Sequence, residues 1–202
     1  MRAAIVGSGR GWHTIELQRA LSERGIHCDL APVTGMQAAA AVQPCLSSKG
    51  LELDGYDVVL VRIIPRGSLE QTIFRMDALQ LLEAQGVRVF NSAKAIERTV
   101  DKYYTSGLLD LAGLPTPRTI ICERSADALE AFVTLGSDVV VKPLFGSMGL
   151  GLVRVDNEDL AYRVFKALEL ERAVYYLQEF IAHQGRDIRA FVLGDRILAS
   201  ME

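Results

Sequence analysis

The 202-residue sequence predicts an α/β protein in which an N-terminal domain on a parallel sheet is followed by a smaller α+β module. Three observations carry this. Short β-branched runs alternate with longer amphipathic stretches, the pattern of βαβ units. Residues 57–62 (DVVLVR) hold an unbroken apolar run, as parallel strands covered on both faces do. A Pro-Thr-Pro at 115–117 ends a long helical region and marks a domain junction.

Taken in order, residues 2–6 read as a strand and 12–24 as the helix after it, closed by Gly25. Residues 26–30 give a second short strand. The stretch 35–51, rich in Ala, Gln and Ser and carrying a Pro, reads as a helix fragment or loop. Residues 57–62 are the third strand, 68–85 a helix stopped by Gly86, and 87–90 a fourth strand. Asn91 and Ser92 are capping residue types, and they open a helical region that continues from 96 to 112 and is ended by Gly113 and the prolines. Beyond it one theme occurs twice: strand 118–122, helix 125–135 and strand 138–142, then strand 152–155, helix 157–170 and strand 174–180. Residues 187–193 and 196–200 make a hairpin around Gly194-Asp195. The expected division is an α/β domain over 1–95, a linking helix over 96–117, the module over 118–182, and the start of a further subdomain over 183–202.

Composition narrows the function. Half of the residues are hydrophobic, enough for a sizeable core. A net charge of -3 offers no basic field to a nucleic-acid backbone or an anionic bilayer, so neither is an expected partner. Cys28, Cys45 and Cys122 are odd in number and widely spaced, which predicts free thiols in a reducing compartment rather than disulfides or zinc. The first apolar run is too short for a signal peptide, and no segment approaches the roughly 20 apolar residues of a membrane helix. The expectation is a cytoplasmic protein.

Gly7-Ser8-Gly9-Arg10-Gly11 follows a strand and precedes a helix, the setting of a dinucleotide fingerprint. That motif requires glycine at position 12, where Trp12 stands, and Asp29 lies inside the second strand rather than at its end. These glycines are read as a tight turn. A phosphate loop of the form G-x-x-x-x-G-K-[ST] is absent from the sequence.

Residues 139–151 (VVVKPLFGSMGLG) carry more chemistry. An apolar strand ends in Lys142 and runs into a loop holding Gly146, Ser147, Met148, Gly149 and Gly151. Glycine permits positive φ and close approach, so successive N–H groups can point at phosphate oxygens. The plain alternative is a hairpin turn beside a solvated lysine. A lysine at the end of a buried strand is costly unless an anion meets it, which makes Lys142 a candidate phosphate ligand. Lys102, preceded by Asp101, is a second candidate cation, otherwise a solvated helix charge. In residues 174–181 (VYYLQEFI), Gln178, Glu179 and Phe180 have the shape of a strand whose backbone and apolar side chain could receive a purine. Asp187 and Arg189 alternate with Ile188 and Ala190 and so share a face; a carboxylate suits ribose hydroxyls, an arginine suits phosphate or carboxylate.

Together, and in order, Asn91-Ser92 with Asp101-Lys102, the AGLPTP of 112–117, the lysine–glycine loop, YLQEF with GRDIRAFVLGDR, and the final SME resemble the ATP-grasp superfamily, in particular its RimK-type α-L-glutamate ligases. The resemblance covers nearly the whole chain and is weakest over 35–53. It implies a pre-ATP-grasp α/β domain, an ATP-grasp lid subdomain and the beginning of a C-terminal ATP-grasp subdomain. It implies that Lys102 and Lys142 contact ATP phosphates, that the loop 146–151 closes over them, that Glu179 and Phe180 hold adenine with Gln178 beside them, that Asp187 holds ribose, and that Arg189 acts near the phosphates or the bound acid. The implied reaction joins an amino acid, L-glutamate, to a carboxylate-bearing acceptor through an acyl phosphate. The segment 63–75 (IIPRGSLEQTIFR) is similar to the tetrahydromethanopterin branch, with ribosomal-protein and carrier-protein modification as other acceptors.

In that family the ligands of Mg2+ follow the Ser-Met-Glu motif, which here is residues 200–202. The chain is therefore expected to be a fragment that binds nucleotide weakly, with an unpaired edge that favours homo-oligomers. A non-catalytic nucleotide-binding module is the open alternative.

Overall fold

The computed structural model describes residues 1–146, 149–183 and 185–202, and the chain divides into two compact units, Met1–Thr105 and Ser106–Glu202. The first unit contains, in chain order, β1 (Arg2–Gly7), α1 (Trp12–Ser22), β2 (His27–Pro32), β3 (Met36–Ala38), β4 (Leu46–Ser48), β5 (Leu51–Glu52), β6 (Val58–Val61), α2 (Leu69–Ala84), β7 (Arg88–Phe90) and α3 (Ala93–Val100). Then α4 (Lys102–Leu111) runs on into the second unit, which continues with β8 (Thr119–Cys122), α5 (Ser125–Thr134), β9 (Val139–Lys142), β10 (Val153–Val155), α6 (Glu158–Leu170), β11 (Tyr175–Glu179), β12 (Arg189–Leu193) and β13 (Arg196–Met201).

The main sheet of the first unit has the order β2-β1-β6-β7, with every pair parallel. β1 lies between two neighbours, and Ala3 to Val6 are fully buried, which is why its sequence shows no polar alternation. Val59, Leu79 and Leu82 join Ala4 and Val6 in one core. Each such leucine contributes about 1.5–3 kcal/mol by leaving water. α2 starts with a capping box: Gln71 N donates to Ser68 Oγ at 3.2 Å and Ser68 N to Gln71 Oε1 at 3.0 Å, fixing the entry that the sequence suggested.

Two expectations for this unit need correcting. Residues 35–51 are neither helix nor plain loop: β3, β4 and β5 form a small antiparallel sheet, with Met36 opposite Ser48 and Ser47 opposite Glu52. Its inward positions are Met36, Leu46 and Ser48, and the buried Ser48 hydroxyl donates to Pro32 O at 2.7 Å, so a polar residue fills a core position and hides the strand alternation. The helical region after Asn91 is likewise two helices. Asp101 adopts an extended conformation (φ -88, ψ 110) and its Oδ1 accepts from Tyr104 N at 3.0 Å, so it caps α4 rather than continuing α3.

At the N-terminal glycines the turn reading agrees with the backbone: Gly9 takes φ +138 and Gly11 O accepts from Thr14 N and Ile15 N as α1 begins. Asp29 sits in mid-strand and accepts from Tyr56 Oη at 2.6 Å, away from any role at a strand end.

The second unit is antiparallel, with sheet order β10-β9-β11-β8. Helices α5 and α6 cover one face, burying Phe132, Phe165, Val139, Val141, Tyr175 and Leu177. Phe165 and Tyr175 meet edge to face at 5.7 Å. β12 and β13 form the expected hairpin, turning at Gly194 (φ +61), with its strand residues exposed. No helix of the described residues is long and apolar enough to cross a membrane.

Candidate functional site

In β9, Val139 and Val141 face the helices, so Val140 and Lys142 face the other way. The antiparallel register places Tyr176 opposite Lys142, and Gln178 two residues on shares that face. Lys142 Nζ donates to Gln178 Oε1 and lies 5.9 Å from the centre of the Tyr176 ring. Gln178 Nε2 in turn donates to Thr119 Oγ1 at 2.9 Å and to Tyr176 Oη at 3.3 Å, and Tyr176 Oη is hydrogen-bonded to Ser106 Oγ at 2.8 Å. Tyr176 is 2% exposed, so the network has a fixed base and a half-buried ammonium at its rim.

Lys142 leads directly into the glycine loop. Gly146, Gly149 and Gly151 all have positive φ (+129, +72 and +79). A Cβ on Gly151 would stand 3.3 Å from Pro143 Cγ, so a larger residue there would meet both strain and contact. Ser147 and Met148 lie outside the described residues.

At the far end of β11, the Glu179 carboxylate is paired with Arg118. Its oxygens accept from Arg118 N at 2.9 Å and Arg118 Nε at 2.7 Å, and these bonds hold its carboxyl below the ordinary glutamate range. The amides of Glu179 and Phe180 donate to Arg118 O and Asp138 O. A purine at this strand end therefore has to use carbonyl groups or later amides. Phe180 lies under Arg154, whose Cζ is 3.7 Å from the ring centre while its guanidinium makes a bidentate pair with Asp138.

The other predicted residues sit on other elements of the chain. Lys102 is the first residue of α4; burial lowers its pKa, opposed by the charge of Asp101. Arg189 begins β12 and is exposed, and Asp187, also exposed, precedes the strand. Among the described residues there is no group of three or more His, Cys, Asp or Glu able to hold a metal. The structure brings together Lys142 and Gln178 from the predicted set, and adds Thr119, Tyr176 and Ser106, which sequence reasoning missed. Only the alternation of Tyr176 with Gln178 in β11 hinted at them, and that hint needs the cross-strand register to be useful.

A half-buried lysine leading into a loop of positive-φ glycines, on an antiparallel sheet backed by two helices, gives the comparisons with known proteins a structural meaning. The RimK-like ATP-grasp domain family matches residues 99–202, and the RimK PreATP-grasp domain family matches residues 1–96. The chain belongs to the RimK-like ATP-grasp family. It is similar to a tetrahydromethanopterin:alpha-L-glutamate ligase of Methanosarcina acetivorans, 38% identical over 160 residues that make up 74% of this chain and 49% of the relative. A protein of the same name from Methanococcus maripaludis is 34% identical over 212 residues, 100% of this chain and 69% of the relative. The chain thus spans about half of the first relative and just over two thirds of the second. A crystal structure of a RimK domain ATP-grasp protein from Sphaerobacter thermophilus shares the fold, with a TM-score of 0.78 at 23% identity over 99% of this chain and 72% of that one. In this ATP-grasp chain the β9–β10 loop is rich in glycine, and Lys142 stands at its start.

Proposed function

We propose that this ATP-grasp chain carries the nucleotide-binding part of an ATP-dependent carboxylate–amine ligase that adds L-glutamate to an acceptor. The observation that carries the reading is the Lys142–Gln178 bond beside three positive-φ glycines: an oriented ammonium and a run of backbone that can approach phosphate oxygens closely. The names of the relatives, glutamate ligases, supply the substrate class. Positioned cations and N–H groups stabilise developing phosphate charge without any proton transfer, because they are already in place.

In the proposed reaction an acceptor carboxylate oxygen attacks the γ-phosphorus of ATP, and the bond to the β-bridging oxygen breaks to release ADP. The amino group of glutamate then attacks the acyl carbon, phosphate leaves, and the amine loses a proton. Lys142 and Lys102 are assigned to the phosphates, loop residues 146–151 to excluding water from them, and Arg189 to the acid or the transferred group. Gln178 orients Lys142. Phe180 and the end of β11 are assigned to adenine, with Glu179 contributing through the position its Arg118 pair gives the strand, and Asp187 to ribose. Magnesium neutralises phosphate charge in reactions of this class. The described residues offer no carboxylate cluster to hold it.

Titration calorimetry with ATP tests this. Wild-type chain is expected to bind ATP and ADP in preference to NAD, and Lys142→Ala to weaken ATP at least tenfold with the fold intact by circular dichroism. Equal affinity in the variant overturns the assignment.

A further inference from the structure

Several arginines of the first unit lie on the loops at the carboxyl ends of β1 and β6. The order β2-β1-β6-β7 makes β1/β6 the point where successive connections leave in opposite directions, and ligands of open parallel sheets bind beyond the carboxyl ends of the strands at such a point. Val6 and Val61 are register partners, and Arg62 N donates to Val6 O at 2.8 Å, so the loops 8–11 and 62–68 start side by side. Arg62 Cβ is 4.0 Å from where a Cβ on Gly7 would stand.

These loops carry Arg10, Arg62 and Arg66, all exposed, and Arg75 of α2 lies against the second loop. Arg75 is 6% exposed, and its Nη1 donates to Pro65 O at 2.8 Å. Elsewhere in the chain Arg19, Arg118, Arg124 and Arg154 each face a carboxylate. Among the described residues Arg10, Arg62, Arg66 and Arg75 form no ion pair. A guanidinium buried against a single carbonyl is an expensive arrangement unless an anion compensates it. Gly67 is shaped to it: a Cβ there would come within 2.9 Å of Arg75 Nη1 and 2.6 Å of Gln71 Oε1.

The geometry points to an anion-binding site at the carboxyl ends of β1 and β6, formed by Arg62 and Arg66, with Arg75 as a positioning residue that fixes their loop through Pro65. Guanidinium groups bind carboxylate or phosphate oxygens in pairs, and the class of ligand is a small acidic substrate group. That this group belongs to the acceptor rests on the ligase reading above; the site itself does not.

The test uses the full chain with two probes, glutarate and inorganic phosphate, titrated separately by NMR at low ionic strength, with ATP titrated into the same variants. One probe is expected to bind, and the tighter of the two identifies the acidic group. Arg62→Ala/Arg66→Ala is expected to weaken it at least tenfold, while Arg88→Ala, at the amino end of β7, leaves it unchanged. Arg75→Met is expected to weaken it and Arg75→Lys, which keeps a donor for Pro65 O, to restore most of the affinity. ATP affinity is expected to stay within twofold in the double variant. Absence of binding by both probes, an equal loss in Arg88→Ala, or a parallel loss of ATP overturns the site. Should ATP fail to bind wild type while the probe result holds, the ligase reading falls and the anion site stands.

Discussion

Lys142 and Gln178 are joined across the β9–β11 ladder by a hydrogen bond from ammonium to amide oxygen, two residues beyond the Tyr176 that stands opposite the lysine. The amide is itself anchored to Thr119 and Tyr176, so the position of the lysine charge is set by the sheet and not by its own flexible stem.

Removing that anchor should cost affinity while sparing the fold. A hydrogen bond to a charged group contributes about 1.5–3 kcal/mol. Gln178→Leu is expected to weaken ATP by roughly an order of magnitude in calorimetry, which corresponds to about 1.4 kcal/mol. An unchanged affinity would show that Lys142 needs no orientation.

The glycine loop makes a separate prediction. At φ +79, with Pro143 Cγ 3.3 Å from the added carbon, Gly151→Ala forces a left-handed conformation and a close contact together. The expected cost is about 1–2 kcal/mol of local strain, read as weaker ATP binding with little change in the core's denaturation midpoint. A variant that binds ATP as well as wild type would remove the loop from the phosphate role.

Glu179 gives a pH prediction. Its carboxyl is held below the ordinary 4.5 by the Arg118 backbone N–H and then by the Arg118 side chain. A depressed folded-state pKa contributes stability that is fully present above the unfolded value and is lost as pH falls through the folded one. Thermal melts of wild type are therefore expected to lose stability below about pH 4.5, and Glu179→Gln to lose less over the same window. Parallel curves for the two proteins would contradict the pairing.

Asp101 should matter as a cap. Asp101→Ala removes the acceptor of Tyr104 N and is expected to cost about 1 kcal/mol in chemical denaturation, while Asp101→Asn keeps most of that stability. Equal losses in the two would assign the effect to charge.

Much of the fold was legible because its signals are local. β1 and β6 announce themselves as apolar runs, residues 68–85 read as one helix, and Gly25, Gly86 and Gly113 mark helix ends with positive φ. What stayed hidden depends on distant partners. Ser48 reads as polar until Pro32 O is seen to accept its hydroxyl, and Asp101 reads as a helix residue until its side chain turns to cap Tyr104. Lys142 and the glycines after it stand out in the sequence, but Thr119, Tyr176 and Ser106 do not, because only the antiparallel register brings them to the lysine. The pair of Glu179 with Arg118 was not legible either, because the two residues are 61 apart in sequence.

Hydrogen–deuterium exchange with and without ATP tests the central claim most directly. The account predicts ATP-dependent protection over residues 142–151 and along β11, lost in Lys142→Ala. Protection confined instead to the turn at residues 7–12, with the β9–β10 loop unaffected, would contradict it.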